Sequence, residues 1–344
     1  MDVGEVLKPY SKLIDREMDK RLPSPSSTKR LELKEFYEMI ADYGKRGGKR
    51  LRPFLCINSC ECFGGKQELA YPSATALEFF QNFVLIHDDI EDGSELRRGK
   101  PVLHLVYGIP KAINAGDALF YKMWETVLDN YELIGAEKTR LVEKEFCNLL
   151  HHTLEGQAIE LNWNECGKCD ITESDYFNMI ESKTAWYTVA TPCRIGAIIA
   201  GASEKHLKAL VDYGVLLGKA FQIQDDLLNL IAETDEYGKE ALGDIYEGKR
   251  TLMLVHLLQH CSAEEKKKVE KLFCKKRAEK KRNEVEEVFH LMKKYGSLEY
   301  AKAKAAEFAI EAGKVFDKEF VDVPGSLAKN AMVGVTKFVV TRKL

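Results

Sequence analysis

A chain of 344 residues, 45% hydrophobic and 31% charged, has length for about two average domains and the composition of an ordinary globular protein. A formal net charge of −3 argues against nucleic acid or an anionic membrane as a general partner. The charged N-terminus has no signal-peptide core and no run approaches the roughly 18 apolar residues of a membrane span, so a cytoplasmic protein with no transmembrane segment is expected.

Residues 1–28 read as an N-terminal helix and a short flexible joint, Leu22–Thr28, rich in Pro and Ser. No such linker interrupts the rest of the chain, so 29–344 is expected to be one helical core within a single domain. Glu32–Asp42 is helical by its periodicity. Next comes YGKRGGKRLRPFL, a glycine- and base-rich turn opening a second apolar helix at Pro53. Its cations suit a solvated loop or, equally, an anion clamp at a helix N-terminus. It is not a Walker A loop, because Tyr43 stands where the first glycine belongs and Arg50 follows the lysine. Cys56, Cys60 and Cys62 fall in an apolar helical pattern and read as core.

Leu85–Pro101, LIHDDIEDGSELRRGKP, is the most informative stretch. The apolar run Leu77–His87 has no Gly or Pro, which places Asp88, Asp89 and Asp92 at the C-terminal end of a buried helix. Asp88 and Asp92 are then neighbours on one face, about 5–6 Å apart. The helix macrodipole disfavours negative charge there. Carboxylates clustered against that gradient point to hard cations held by oxygen, most simply Mg²⁺. Mg²⁺ usually shares its shell with substrate phosphates, and Arg97, Arg98 and Lys100 suit phosphate oxygens. The competing reading is a solvated acidic turn beside a solvated basic one. An EF-hand is excluded, since Ile90 occupies a ligand position.

Long helical patterns come next: Lys111–Asn130, Ala136–Asn162, Glu173–Ala202 and Glu204–Glu233. With period-2 strands almost absent, the fold class is all-α, a mostly antiparallel bundle of long helices with short loops. Within Glu204–Glu233, Gly214, Gly218, Gln222, Asp225, Asp226 and Asn229 share one side. Each helical glycine costs roughly 1 kcal/mol against alanine, so the pair serves either close helix packing or room for a ligand. Asp225 and Asp226 form a second acidic pair ending a buried helix, able to face the first across one diphosphate. Tyr237–Thr251 adds Lys239, Asp244 and Lys249. Its near match to a Walker A loop fails because Arg250 replaces the metal-binding Ser/Thr.

Nine cysteines without a secretory signal read as reduced thiols, and Cys166-Gly-Lys-Cys169 lacks the second half of a zinc ribbon. Glu264–Arg282 reads as a solvated basic helix with interleaved glutamates. Val285–Tyr295 and Ser297–Val321 are amphipathic, and the chain ends in a basic tail, KFVVTRKL.

Taken together the motifs resemble the trans-isoprenyl diphosphate synthases, the polyprenyl synthetase family, over about Gly44–Thr251. The matches are GGKRLRP (Gly47–Pro53), HDDIED (His87–Asp92), LRRGKP (Leu96–Pro101), AGDALF (Ala115–Phe120), EGQ (Glu155–Gln157), SKT (Ser182–Thr184), FQIQDD (Phe221–Asp226) and GDIYEGKRT (Gly243–Thr251). The resemblance implies an isoprenoid-synthase bundle around a central cavity and a Mg²⁺-dependent prenyltransferase with three ions per site. Its substrates would be isopentenyl diphosphate and an allylic diphosphate (dimethylallyl, geranyl or farnesyl), and its assembly a homodimer. By the same carry-over, Asp88 and Asp92 bind two ions with Asp89 assisting, and Asp225 binds a third with Asp226 and Asp244 in support. Arg97, Lys183, Lys249 and Lys239 would contact the allylic diphosphate, with Thr184 and Gln222 beside the carbocation. Lys49, Arg52, Gln81 and Arg98 would hold isopentenyl diphosphate without metal.

Asn229 departs from the family pattern, a neutral oxygen where many members carry an aspartate; weaker binding of the third ion is the expected effect. Phe83 lies five residues before Asp88, about 7.5 Å along the helix, and Val84 four before. An aromatic at the first position with a small residue at the second resembles the archaeal-type enzymes that make geranylgeranyl diphosphate, farnesyl diphosphate being the alternative product. A terpene cyclase of similar fold would not need GGKRLRP or LRRGKP. A non-catalytic partner subunit would usually lack one acidic motif.

Overall fold

The computed structural model describes residues 3–231 and 241–341. Its helices are α1 (Val3–Arg21), α2 (Leu31–Lys45), α3 (Leu51–Cys62), α4 (Tyr71–Glu91), α5 (Leu103–Tyr107), α6 (Ile109–Leu128), α7 (Asn130–Glu165) and α8 (Glu173–Ile180). A π-helix, Glu181–Ala190, leads into α9 (Thr191–Ala200), α10 (Glu204–Ile231), α11 (Gly243–Glu247), α12 (Leu252–His260), α13 (Ala263–Phe273), α14 (Arg282–Lys294), α15 (Ser297–Glu319) and α16 (Leu327–Thr341). Among the described residues the only strands are β1 (Leu96–Arg97) and β2 (Lys100–Pro101), antiparallel with Leu96 opposite Pro101. The fold is all-α, the class that the apolar periodicity predicts.

Helix α4 follows from its sequence. Pro72 fits the first turn, where a missing N–H costs nothing, and no Gly or Pro interrupts the next nineteen residues to Glu91. Every residue from Pro72 to Phe83 is buried, so the helix is held on all sides. It packs against α6, while α3 packs against α9, and α10 against both the π-helix and α15. Two apolar clusters result. One contains the buried faces of α3, α4, α6, α9 and the first half of α10. The other gathers Ile223, Leu227 and Leu230 of α10 with α12–α15. α10 runs through both.

Several expectations need correction. Glu173–Ala202 is not one α-helix. Pro192 lacks a donor and its ring crowds the carbonyl four residues back, and the turns just before it are widened into the π-helix. Gly214 and Gly218 serve close packing rather than ligand room. A Cβ on either would collide with an α-carbon, that of Ala190 or of Ala185. The basic run Glu264–Arg282 is not a single solvated helix: it breaks after Phe273, and Lys280 is buried at 7% exposure. Lys337–Thr341, the first five residues of KFVVTRKL, close α16, and 342–344 lie outside the described residues. α3 opens at Leu51 rather than Pro53, after Arg50 takes a left-handed conformation at φ 51°. Lys239 and the end of the Glu204–Glu233 pattern lie outside the described residues. Among those described, no helix is long and apolar enough to cross a membrane.

Candidate active site

A cavity of about 490 Å³ lies between these helices, within the range of small-molecule sites. α4 contributes Gln81, Phe83, Val84 and Asp88, and α10 contributes Phe221, Gln222, Asp225 and Asp226. Lys49 and Arg52 enter from the turn into α3, Arg97 and Arg98 from β1 and its turn, Lys183 and Thr184 from the π-helix, and Asp244 and Lys249 from α11 and its loop. The structure thus brings together residues distant in sequence, polar at one part and lined elsewhere by Phe83, Val84, Leu154, Tyr187 and Phe221.

Ion pairs organise the acidic part. Lys183 Nζ lies 3.3 Å from Asp88 Oδ1 and contacts Glu160 Oε2. Lys249 Nζ lies 2.9 Å from both Asp92 Oδ2 and Glu247 Oε2, and 3.9 Å from Asp244 Oδ1. Burial alone would lower the pKa of either lysine, but the surrounding carboxylates raise it, so both stay charged. Asp92, its side chain 2% exposed, is pushed toward its neutral form: burial raises its pKa, Lys249 opposes the rise, and Asp88 and Glu247 add to it.

Asp89 turns away from the cavity. Its carboxylate accepts from Tyr43 Oη at 2.6 Å and from Arg97, whose Nε lies 3.1 Å from Oδ1. The pair fastens the LRRGKP turn to the end of α4, with Arg97 Nη2 3.8 Å from Asp88. Arg98 donates to the Tyr43 carbonyl at 2.5 Å. Arg52 donates to Thr188 Oγ1 at 2.8 Å and lies over the Tyr187 ring. Arg50, fully buried, ties the GGKRLRP turn down through Glu78 (2.5 Å), Asp15 (2.8 Å) and the Gly44 carbonyl.

A hydrogen-bonded chain fixes the far wall. Thr184 Oγ1 donates to Gln222 Oε1 at 2.8 Å, Gln222 Nε2 to Asp226 Oδ1 at 2.6 Å, and Tyr176 Oη to Asp226 Oδ2 at 2.8 Å. Because the amide must point its nitrogen at the carboxylate, its oxygen faces Thr184. Asn229 Oδ1 accepts from the Asp244 N–H at 2.9 Å, so the residue that departs from the family pattern anchors the start of α11.

Glu160, Glu247, Tyr43, Tyr176 and Phe338 are site residues that sequence reasoning misses. Glu160 and Glu247 carry a signal: the first lies three residues past Gln157, on the same helical face, and the second is two before Lys249. Tyr176 and Phe338, which lines the cavity from α16 beneath Lys49, carry none. The nine cysteines are all free thiols, and among the described residues no three His, Cys, Asp or Glu side chains converge closely enough to hold a metal ion.

A helical bundle with two acidic helix ends and two cation-bearing turns around one partly apolar cavity is the arrangement of a trans-prenyltransferase. The chain belongs to the polyprenyl synthetase family, whose model matches residues 33–292. It is 34% identical over 344 residues to the short chain isoprenyl diphosphate synthase of Methanothermobacter thermautotrophicus, covering 100% of this chain and 99% of the relative. The crystal structure of geranylgeranyl pyrophosphate synthetase from Pyrococcus horikoshii superposes with a TM-score of 0.86 at 34% identity, covering 99% of both chains. Polyprenyl synthase from Caulobacter crescentus, complexed with calcium and isoprenyl diphosphate, gives 0.86 at 26% identity, covering 99% of this chain and 97% of its own.

Proposed function

We propose that the protein is a Mg²⁺-dependent short-chain prenyl diphosphate synthase. It joins isopentenyl diphosphate to dimethylallyl, geranyl or farnesyl diphosphate and releases mainly geranylgeranyl diphosphate, with farnesyl diphosphate the alternative. The observation that carries this reading is that one cavity gathers two chemically different sets of charged and polar side chains. Asp88, Asp225, Lys183 and Lys249 combine carboxylates with cations; Lys49, Arg52, Gln81 and Arg98 offer hydrogen-bond donors, and Glu78, which also lines the cavity, is taken up by Arg50. A leaving diphosphate needs the first and a retained one the second.

The acidic set fits a hard cation. Its donors are carboxylate oxygens, and Mg²⁺ needs only one or two of them beside phosphate oxygens and water. We assign Asp88, Asp92 and Asp225 to hold three ions, with Asp244 in support; the calcium in the Caulobacter relative supports a divalent cation here. Asp89, committed to Arg97 and Tyr43, and Asp226, committed to Gln222 and Tyr176, act by holding other groups. When bound, Mg²⁺ neutralises charge developing on the leaving diphosphate.

The residues' own work is separable. Lys183, Lys249 and Arg97, with Lys239 expected to join them, bind and orient the allylic diphosphate. Its C1–O bond breaks, and the electron pair leaves with the diphosphate. The Gln222 carbonyl and Thr184 hydroxyl lie beside the resulting allylic cation, where dipoles stabilise charge without capturing it. Lys49, Arg52, Gln81 and Arg98 hold isopentenyl diphosphate so that its double bond attacks C1, and the proton then lost passes to the departed diphosphate. The growing chain runs along Val84 toward Phe83, which is backed by Phe120 (ring centroids 5.3 Å) and Phe80 (6.0 Å). We assign a homodimer on the apolar residues exposed on α5–α7.

Incubation with Mg²⁺, isopentenyl diphosphate and each allylic diphosphate in turn, with products identified by mass, tests the reading. Twenty-carbon diphosphate is expected from each starter; a cyclised hydrocarbon, or no elongation, would reject it in favour of a terpene cyclase or a non-catalytic subunit.

A further inference from the structure

Lys183 and Lys249 come from different elements, the π-helix and the loop after α11, yet stand in the same relation to α4. Each touches one of its aspartates on one side and a buried glutamate on the other: Asp88 and Glu160 for Lys183, Asp92 and Glu247 for Lys249. Glu160 and Glu247 side chains are 7% and 3% exposed, and Glu247 is fixed further by Ser94 Oγ, which donates to its other oxygen at 2.9 Å. The two ammonium groups therefore sit on the carboxylate oxygens to which the proposed function assigns divalent cations.

Resting on that reading, we propose that Lys183 and Lys249 are resident counter-ions of Asp88 and Asp92 that an incoming divalent cation must displace, and that Glu160 and Glu247 are positioning residues that hold the displaced lysines in place. A buried lysine abandoned by its only partner would carry a heavy desolvation penalty. With a glutamate behind it, each lysine loses one contact rather than all, and the freed N–H points into the cavity, where a diphosphate oxygen can accept it. The cation frees the lysine for the diphosphate, and the diphosphate compensates the lysine for the aspartate. Cation and diphosphate then strengthen each other's binding, and by linkage the strengthening is equal in both directions.

The test uses the full chain and Mn²⁺, whose free concentration is read by electron paramagnetic resonance, with and without inorganic pyrophosphate. Wild type should bind Mn²⁺ weakly alone and more tightly with pyrophosphate. Lys183→Met and Lys249→Met should each bind Mn²⁺ alone about tenfold more tightly, within the usual range of coupling, and gain correspondingly less from pyrophosphate. Lys111→Met, removing the same charge from an exposed pair with Glu35 outside the cavity, should leave Mn²⁺ affinity within about twofold, which separates displacement from a general field effect. Glu247→Gln, leaving Lys249 to Asp92, should weaken Mn²⁺ binding, and Glu247→Asp should restore it; this arm stands even if a lysine variant fails to fold. Folded Lys183 and Lys249 variants binding Mn²⁺ no better than wild type, or an equal gain in Lys111→Met, would overturn the counter-ion role. No pyrophosphate-dependent Mn²⁺ binding by wild type would instead reject the synthase reading beneath it.

Discussion

Arg52 donates to Thr188 and lies 4.4 Å from the centroid of the Tyr187 ring, so the π-helix and the turn into α3 share one cation at the cavity. On the proposed division of labour it touches only the retained diphosphate. Lys49→Ala and Arg52→Ala should therefore raise KM for isopentenyl diphosphate by roughly tenfold or more while changing that for the allylic substrate little, as steady-state kinetics with each substrate varied would show. Equal changes in both constants would misplace the turn. Phe83 makes a second case. Its ring meets Phe80, Phe120 and His87, so truncation opens space toward α6. Phe83→Ala should shift products beyond twenty carbons and Val84→Phe toward fifteen, by mass of the extracted diphosphates. If Phe83 is only core, the variant loses about 3–5 kcal/mol of stability with an unchanged product ladder. Residues like these are legible because their chemistry is local: a carboxylate at the wrong end of a helix, a run of cations beside glycines. Tyr176 and Phe338 gain their places only through tertiary contact. Asp89 shows the same limit from the other side, for its motif position is plain while its commitment to Tyr43, forty-six residues earlier, is not.

At the scale of elements, the all-α class is readable from apolar periodicity, whereas the division of 173–202 is marked in the sequence only by Pro192, because an apolar pattern does not report whether a backbone N–H bonds four or five residues back. The basic stretch misleads for a different reason. Its lysines and arginines look alike in sequence, yet one of them, Lys280, donates to the carbonyls of Ile245 (2.8 Å) and Tyr246 (3.0 Å) and closes the end of α11. Burial, with Arg250 and Arg277 nearby and only Glu247 opposing, lowers its pKa from 10.5 to about 8. A depressed lysine pKa means the unfolded chain binds more protons between those values, so folded stability should rise as pH climbs from about 8 to 10.5. The rise is at most roughly 3 kcal/mol. Lys280→Met lacks this contribution; denaturant titrations across that range should show wild type gaining on the variant, and a constant gap would mean that Lys280 keeps its ordinary pKa.

Over the whole molecule, large apolar side chains are exposed in concentration on α5, α6 and α7: Leu105, Val106, Ile109, Tyr121, Leu128 and Leu133 are each 47–59% accessible. Such density on consecutive helices exceeds the scattered exposure normal for a monomer and suits a self-complementary contact between copies. On the homodimer proposed above, Leu128→Glu with Leu133→Glu should give a monomer in size-exclusion chromatography with light scattering; an unchanged mass, whether of one copy or two, would remove these helices from any interface.

The passage of α10 through both apolar clusters has a thermodynamic consequence. One rigid rod, buried at Leu210 and Leu217 on one side and at Ile223 and Leu227 on the other, leaves neither cluster able to melt without stripping cover from the helix that completes its neighbour. Calorimetry should record a single endotherm whose van't Hoff and calorimetric enthalpies agree within each assembly state. Two separated endotherms would mean that the rod can fray at its middle while an end stays docked. If it cannot, the gap between the carboxylates of α4 and those of α10 is a property of the entire fold, and a substitution remote from the cavity can change turnover by shifting the rod a fraction of an ångström.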